Sequence, residues 1–280
     1  MSDLSYWQKA IEVTDTAVKS KSLIPLETNP VKTTNEFNSD FELRRLVGCF
    51  PKEIKQQQPP LNPFLPCDRN LIVSSFDNSH LLILNKFPVE KAHMLLITNS
   101  FQPQDGWLDV TDFNQIVKIE HDTKGLWFFN SSANAGASQP HRHLQLLPRS
   151  KEDLACPRQH WFCEQLNNPK RNNFLTNHMS IGKRENIKEN SNGNGLYTQY
   201  IKLCSNIGLG HPNINKKPNG SYNLILTENW LCVIKRLKES NLGFSINALG
   251  FAGYFLATNE NAISNFEGYG AEYILTGVIG

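Results

Sequence analysis

The stretch HRHLQ, residues 141 to 145, holds the densest reactive chemistry in the chain. In a β-strand, residues two apart share a face, so His141, His143 and Gln145 line up while Arg142, Leu144 and Leu146 point the other way. The preceding stretch, FFNSSANAGASQP, ends in a proline that is tolerable at a strand start. Its small residues Gly136, Ala137 and Ser138 leave backbone amides approachable by a bulky anion. Such an arrangement suits a phosphate ester held beside an imidazole.

Three chemistries compete for these residues. A zinc site can use two histidines but needs a further ligand, and the nearby CPRQHWFC supplies only Cys156, His160 and Cys163. Satisfied structural histidines are the plainest alternative. In the third, a neutral imidazole attacks phosphorus directly, because its ordinary pKa of about 6.5 leaves it mostly unprotonated near neutrality. Gln145 can then donate its amide to a non-bridging oxygen, but it cannot protonate a departing group. The leaving group must therefore be good already, as a nucleoside polyphosphate is.

The elements that position these residues follow from periodicity. A helix is expected over residues 4 to 22, and a loop over IPLETNPVKTTNEFNSD, residues 24 to 40. FELRRLVG reads as a strand or another short element, and the proline-rich PKEIKQQQPPLNPFLPCD as a surface wrap or the border of a site. SHLLILNKFPVEKAHMLLIT forms an antiparallel hairpin, TDFNQIVKIEHD a helix capped by its threonine, and GLWFFN and HRHLQLLP two further strands. SYNLILTENWLCVIKR repeats the hairpin pattern, so the chain reads as two degenerate halves of an α+β fold, and INALGFAGYFLA, the sequel to the second hairpin, carries no histidines to match HRHLQ. NIKENSNGNG and NINKKPNGS are loops by composition.

At 280 residues the chain can build one large domain or two ordinary ones. Its 28 basic and 26 acidic residues nearly cancel, which implies neither nucleic acid nor a membrane surface as a partner. The amino terminus lacks the apolar core of a signal peptide, and six cysteines without CxxC pairs suit a reducing compartment, so a cytoplasmic protein is expected.

Several stretches together resemble one family. NAGASQPHRHLQLLP, LNKFPVEKAHMLLIT, FQPQDGWL, NPFLP and SYNLILTENWLCVIKR followed by INALGFAG are similar to the ATP adenylyltransferases, also called diadenosine tetraphosphate phosphorylases, of the histidine-triad superfamily. The resemblance implies a histidine-triad-like fold of the galactose-1-phosphate uridylyltransferase branch, an antiparallel sheet with flanking helices. It places a catalytic half at residues 1–150 and an ATP adenylyltransferase half at 151–280. It further implies that a dinucleoside polyphosphate and inorganic phosphate yield ADP and ATP through an adenylyl-histidine. His143 would be the nucleophile, oriented by His141 through its backbone carbonyl, with Gln145 on the α-phosphate.

Asn130, Gly136, Ala137, Ser138 and Gln139 fall in the family's nucleotide-binding segment, with Asn85 and Lys86 on the hairpin turn nearby. His93 stands where histidine-triad proteins often carry another histidine, either supporting the site or packed at the surface. Asn223, Lys235 and Arg236 match polar and basic positions of the second half. No metal site and no tightly bound cofactor is implied, although a divalent cation such as magnesium can accompany the nucleotide. Two other functions fit the same motif: uridylyl transfer to a hexose 1-phosphate, and a non-catalytic dinucleotide sensor.

Overall fold

The computed structural model describes residues 4–34, 36–48, 62–168, 174–184 and 193–280. The stretch PKEIKQQQPP therefore lies outside the described residues, as does most of NIKENSNGNG.

Eight strands form one antiparallel sheet in the order β3-β4-β5-β7-β6-β9-β10-β8. They are β3 (Ile72–Phe76), β4 (His80–Leu84), β5 (Met94–Thr98), β6 (Gly125–Asn130), β7 (His143–Pro148), β8 (Met179–Lys183), β9 (Ser221–Leu226) and β10 (Trp230–Arg236). A smaller sheet joins β1 (Thr28–Val31), β2 (Glu42–Leu46) and β13 (Tyr254–Ala257), with β13 parallel to β2; β11 (Ser240–Asn241) and β12 (Phe244–Ser245) make a short ribbon. β1 arises within the segment expected to be loop, because TNPV pairs backbone to backbone with β2, where a proline is acceptable on an edge strand.

Both expected hairpins form, β4–β5 and β9–β10, and the β6–β9 pairing fuses the two halves into one sheet. The halves are unequal beyond that. After β10, INALGFAGYFLA supplies a short helix (Ala248–Ala252) and then β13, which leaves the main sheet for the smaller one.

One face of the sheet buries Leu144, Leu146, Trp127, Phe129, Leu224 and Val233 beneath helices Tyr6–Lys19, Val110–Glu120 and Asn194–Asn206. The opposite face buries Phe128, Leu147, Ile225, Cys232 and Ile234 against helices Gln159–Asn167, Ala248–Ala252, Glu260–Tyr269 and Ala271–Thr276. Asp109, rather than the expected threonine, caps Val110–Glu120: its carboxylate accepts from Thr111 and Asp112 while Asp112 accepts from the Asp109 amide. Asp112 is also buried between His80, at 3.0 Å, and Arg142, at 3.1 Å, so the helix start is tied to the outward side of the HRHLQ segment.

Candidate active site

β7 begins at His143, so His141 lies just before the strand. It is held there by a neighbour of its own: an isolated antiparallel bridge joins it to Pro103, the Arg142 amide donates to the Gln102 carbonyl at 2.8 Å, and the Gln104 amide donates to the Pro140 carbonyl at 2.8 Å. The loop QPQ of FQPQDGWL thus acts as a short extra strand where β5 has ended.

Gln104, itself buried, completes this clamp. Its Oε1 accepts from the His143 amide at 2.8 Å, and its Nε2 donates to the carbonyls of Asn130 at 2.7 Å and His143 at 3.3 Å. On the other side of the strand, Arg142 donates to the Trp107 carbonyl at 2.7 Å and pairs with Asp109 and Asp112. His143 is therefore fixed through its own backbone and through its neighbour's side chain.

The ring chemistry follows from who can donate to whom. His143 Nδ1 lies 2.7 Å from the His141 carbonyl, which can only accept, so Nδ1 carries the proton. Nε2 then bears the lone pair, and no described residue hydrogen-bonds to it. Burial pushes His143 down to about 4, with the His141 carbonyl opposing that and the His141 ring adding to it, so the imidazole is neutral across the physiological range.

His141 is locked in the opposite tautomer. The Phe64 amide donates to Asn62 Oδ1 at 3.0 Å, which leaves the Asn62 Nδ2 to donate to His141 Nδ1 at 2.8 Å. His141 Nε2–H faces the Thr98 carbonyl at 2.9 Å, with the Thr98 hydroxyl at 2.8 Å. Burial lowers its pKa as well. Both ring nitrogens of His141 are thus occupied, and its backbone carbonyl is the atom that faces His143 Nδ1. NPFLP does border the site, as its proline content suggested: Phe64 packs 5.4 Å from the His143 ring and 5.6 Å from His141.

Gln145 follows on the same face, half-buried, with Oε1 3.0 Å from His93 Nε2. His93 is buried beside it, and its Nδ1 lies 3.1 Å from Asn85 Nδ2. Sequence reasoning placed Asn85 on the substrate, but its side chain is spent on His93 and on the Phe87 amide. Lys86, on the same turn, is exposed.

The other proposed contacts divide. Gly136 adopts φ +86°, and a Cβ there would stand 2.6 Å from that of Asn247, so glycine is required where the loop meets the second half. The Gly136 and Ala137 amides fold back onto the Ala133 and Ser132 carbonyls, whereas the amides of Ser138 and Gln139 donate to no described residue. Asn130 and Asn223 are buried and bonded to each other at 2.8 Å; Asn130 Oδ1 also accepts from the Ala248 amide, and Asn223 also holds Ala135 O and Arg236. Arg236 is likewise consumed by the carbonyls of Lys238, Glu239, Ile246 and Val278. Asn223 and Arg236 therefore shape the loop ahead of the histidines without presenting a donor to a ligand, while the Asn130 Nδ2 has no described partner.

Lys235 is on the wrong side. Cross-strand pairs Gln145–Phe128, Phe128–Ile225 and Ile225–Cys232 carry the histidine face to Cys232, and hence to Ile234 and Arg236, so Lys235 points to the other face. Among the described residues, Cys156, His160 and Cys163 do not gather into a metal-binding group.

The family model of the Ap4A phosphorylase N-terminal domain matches residues 1–160, more than half of the chain, and that of the ATP adenylyltransferase C-terminal domain matches residues 154–279. The chain belongs to the Ap4A phosphorylase family. It is 30% identical to Protein APA1 of Saccharomyces cerevisiae over 209 residues, 67% of this chain and 64% of that protein. It is 26% identical to diadenosine 5',5'''-P1,P4-tetraphosphate phosphorylase 2 of the same yeast over 230 residues, 73% and 71% of the two chains. The chain thus spans about two thirds of the length of these curated relatives. Its fold is shared with the crystal structure of yeast Ap4A phosphorylase Apa2 in complex with AMP, at a TM-score of 0.78 and 22% identity over 100% of this chain and 98% of that one. The complex of Apa2 with Ap4A gives 0.74 and 20% over 99% and 98%. The α+β architecture with one large antiparallel sheet is therefore that of the family.

Several site-building residues were not assigned a role from the sequence. Asn62 and Phe64 in NPFLP, and Gln104 in FQPQDGWL, lie in motifs that carried the resemblance, and that was the available signal. Thr98 had none.

Proposed function

We propose that the protein phosphorolyses diadenosine tetraphosphate, with His143 as nucleophile. The observation that carries this is the 2.7 Å contact between His143 Nδ1 and the His141 carbonyl, which leaves Nε2 as a neutral base without a partner among the described residues. Nε2 attacks the α-phosphorus, the bond to the bridging oxygen breaks, and ATP departs with those electrons. The positive charge that develops on the ring is met by the His141 carbonyl on Nδ1–H. An oxygen of inorganic phosphate then attacks the same phosphorus, the P–N bond breaks, and ADP leaves with Nε2 neutral again.

Gln145, whose Nε2 has no partner among the described residues, and the backbone amides of Ser138 and Gln139 are suited to hold the non-bridging oxygens; Lys86 and Asn130 Nδ2 extend that reach toward the rest of the nucleotide. A glutamine cannot activate water by taking its proton, whereas phosphate is already a nucleophilic anion, which favours phosphorolysis over hydrolysis. The substrates and products are thus the dinucleoside polyphosphate, inorganic phosphate, ATP and ADP, and a divalent ion such as magnesium would arrive with the polyphosphate. Ping-pong kinetics are expected, with labelled phosphate appearing in the β position of ADP. AMP released at the same rate without phosphate would overturn the reading in favour of a hydrolase.

A further inference from the structure

His93 takes no part in the steps above, yet it is buried against Gln145, and the directions of the hydrogen bonds around it explain why. A backbone amide can only donate, so the Asn85 atom 3.0 Å from the Phe87 amide is its oxygen. The other arm of Asn85 is then its NH2 group, which points at His93 Nδ1 from 3.1 Å. Nδ1 must accept, which places the proton of the neutral ring on Nε2. That N–H faces Gln145 across 3.0 Å, so the amide atom it meets is the oxygen and the Gln145 NH2 group turns away from it.

We propose that His93 is a positioning residue, the last member of a relay from the Phe87 amide through Asn85 that pins Gln145 Oε1 and aims the Gln145 NH2 group at the phosphoryl group on His143. This rests on the role given to Gln145 in the proposed reaction. Held the other way, the amide would present a lone pair to an anionic oxygen, so a side chain with two nearly equivalent orientations is useful only when one is excluded. The relay needs His93 neutral, and burial, with smaller contributions from His143 and Arg149, lowers it to about 4 against the opposing Gln145 bond. The ring of Phe128, 5.8 Å away, closes the remaining side with no charge.

Two measurements with diadenosine tetraphosphate and inorganic phosphate test this. In a double-mutant cycle, His93→Ala and Gln145→Ala each lower kcat by on the order of 10²-fold with KM little changed, and the double variant is no worse than the poorer single one, because both remove the same donor. Multiplying effects, or a His93→Ala variant within about threefold of wild type, overturn the relay. If Gln145→Ala costs less than about tenfold, the reading of Gln145 falls first and the relay with it.

The second variant, Asn85→Asp, keeps the shape but replaces the donor to Nδ1 by an acceptor. The ring then holds a proton on Nδ1 at every pH, and Nε2–H survives only in the imidazolium, whose charge the new carboxylate stabilises and whose other titratable or charged neighbours are His143 and Arg149. Activity should fall as pH rises through that ionisation, in a limb that wild type lacks. A pH profile parallel to wild type would contradict the relay, because a purely structural role would not create an ionisation.

Discussion

Replacing Gln104 by leucine removes three hydrogen bonds around His143 without changing any residue that would touch substrate. The bonds at 2.8 Å to the His143 amide and 2.7 Å to the Asn130 carbonyl are at full strength, and that at 3.3 Å to the His143 carbonyl is weaker. All lie in the buried interior, so leucine strips the His143 amide and the carbonyls of Asn130 and His143 of these bonds. At about 1–3 kcal/mol for each of the two groups held at full strength, the protein should lose roughly 2–6 kcal/mol of stability. The start of β7 also loses its substitute for a neighbouring strand, so Nε2 wanders from the line of attack, and kcat should drop by about 10- to 100-fold. Urea unfolding gives the first quantity, and initial rates measured where the variant is fully folded give the second. A variant destabilised by less than about 1 kcal/mol with kcat within about twofold of wild type would refute the clamp.

Four further expectations can be checked alongside. Because His143 and His93 both sit near 4 against an ordinary 6.5, the unfolded chain binds more protons between these values; stability is full above 6.5, falls as pH drops toward 4, and urea midpoints across that interval would show it. The rate under folded conditions should stay flat from neutrality to about pH 5 and fall only as His143 takes a proton, whereas a midpoint near about 6.5 would contradict the buried neutral nucleophile. Arg142→Met leaves the buried Asp112 carboxylate with His80 and the Asp109 amide but no arginine, and should cost about 3–5 kcal/mol in urea unfolding, the penalty of breaking a buried pair. Lys235→Ala should leave kcat and KM within about twofold of wild type, since the side chain points to the face opposite the histidines; a large loss would put the register of β10 in question.

Much of this architecture can be read from local pattern. The apolar runs on either side of NKFPVEKA and TEN dictate the two hairpins, and the spacing of His141 and His143 already brings the carbonyl of one to the ring of the next. What pattern cannot supply is depth and partnership across long separations. Gln104 is 39 residues from His143, and Asn62 is 79 from His141, so neither clamp leaves a local trace beyond its motif. Asn85, Asn223 and Arg236 look like ligand groups because polar residues on a hairpin usually face solvent; here the buried Asn223 and Arg236 satisfy each other and the backbone, and the half-buried Asn85 serves His93 and the Phe87 amide. Lys235 was misplaced because parity along a strand identifies a face only once the register with its neighbours is known. The parallel pairing of β13 with β2 joins residues near 43 and 255, a contact beyond any local window.

The central claim is that His143 Nε2 carries the transferred nucleotide. Incubating the protein with diadenosine tetraphosphate in the absence of phosphate, quenching without acid and mapping the modified peptide by mass spectrometry tests it most directly. An acid-labile adenylyl group on His143, lost from His143→Ala and converted to ADP when phosphate is added, is the predicted result. An adduct on another residue, or sustained turnover by His143→Ala, would contradict it.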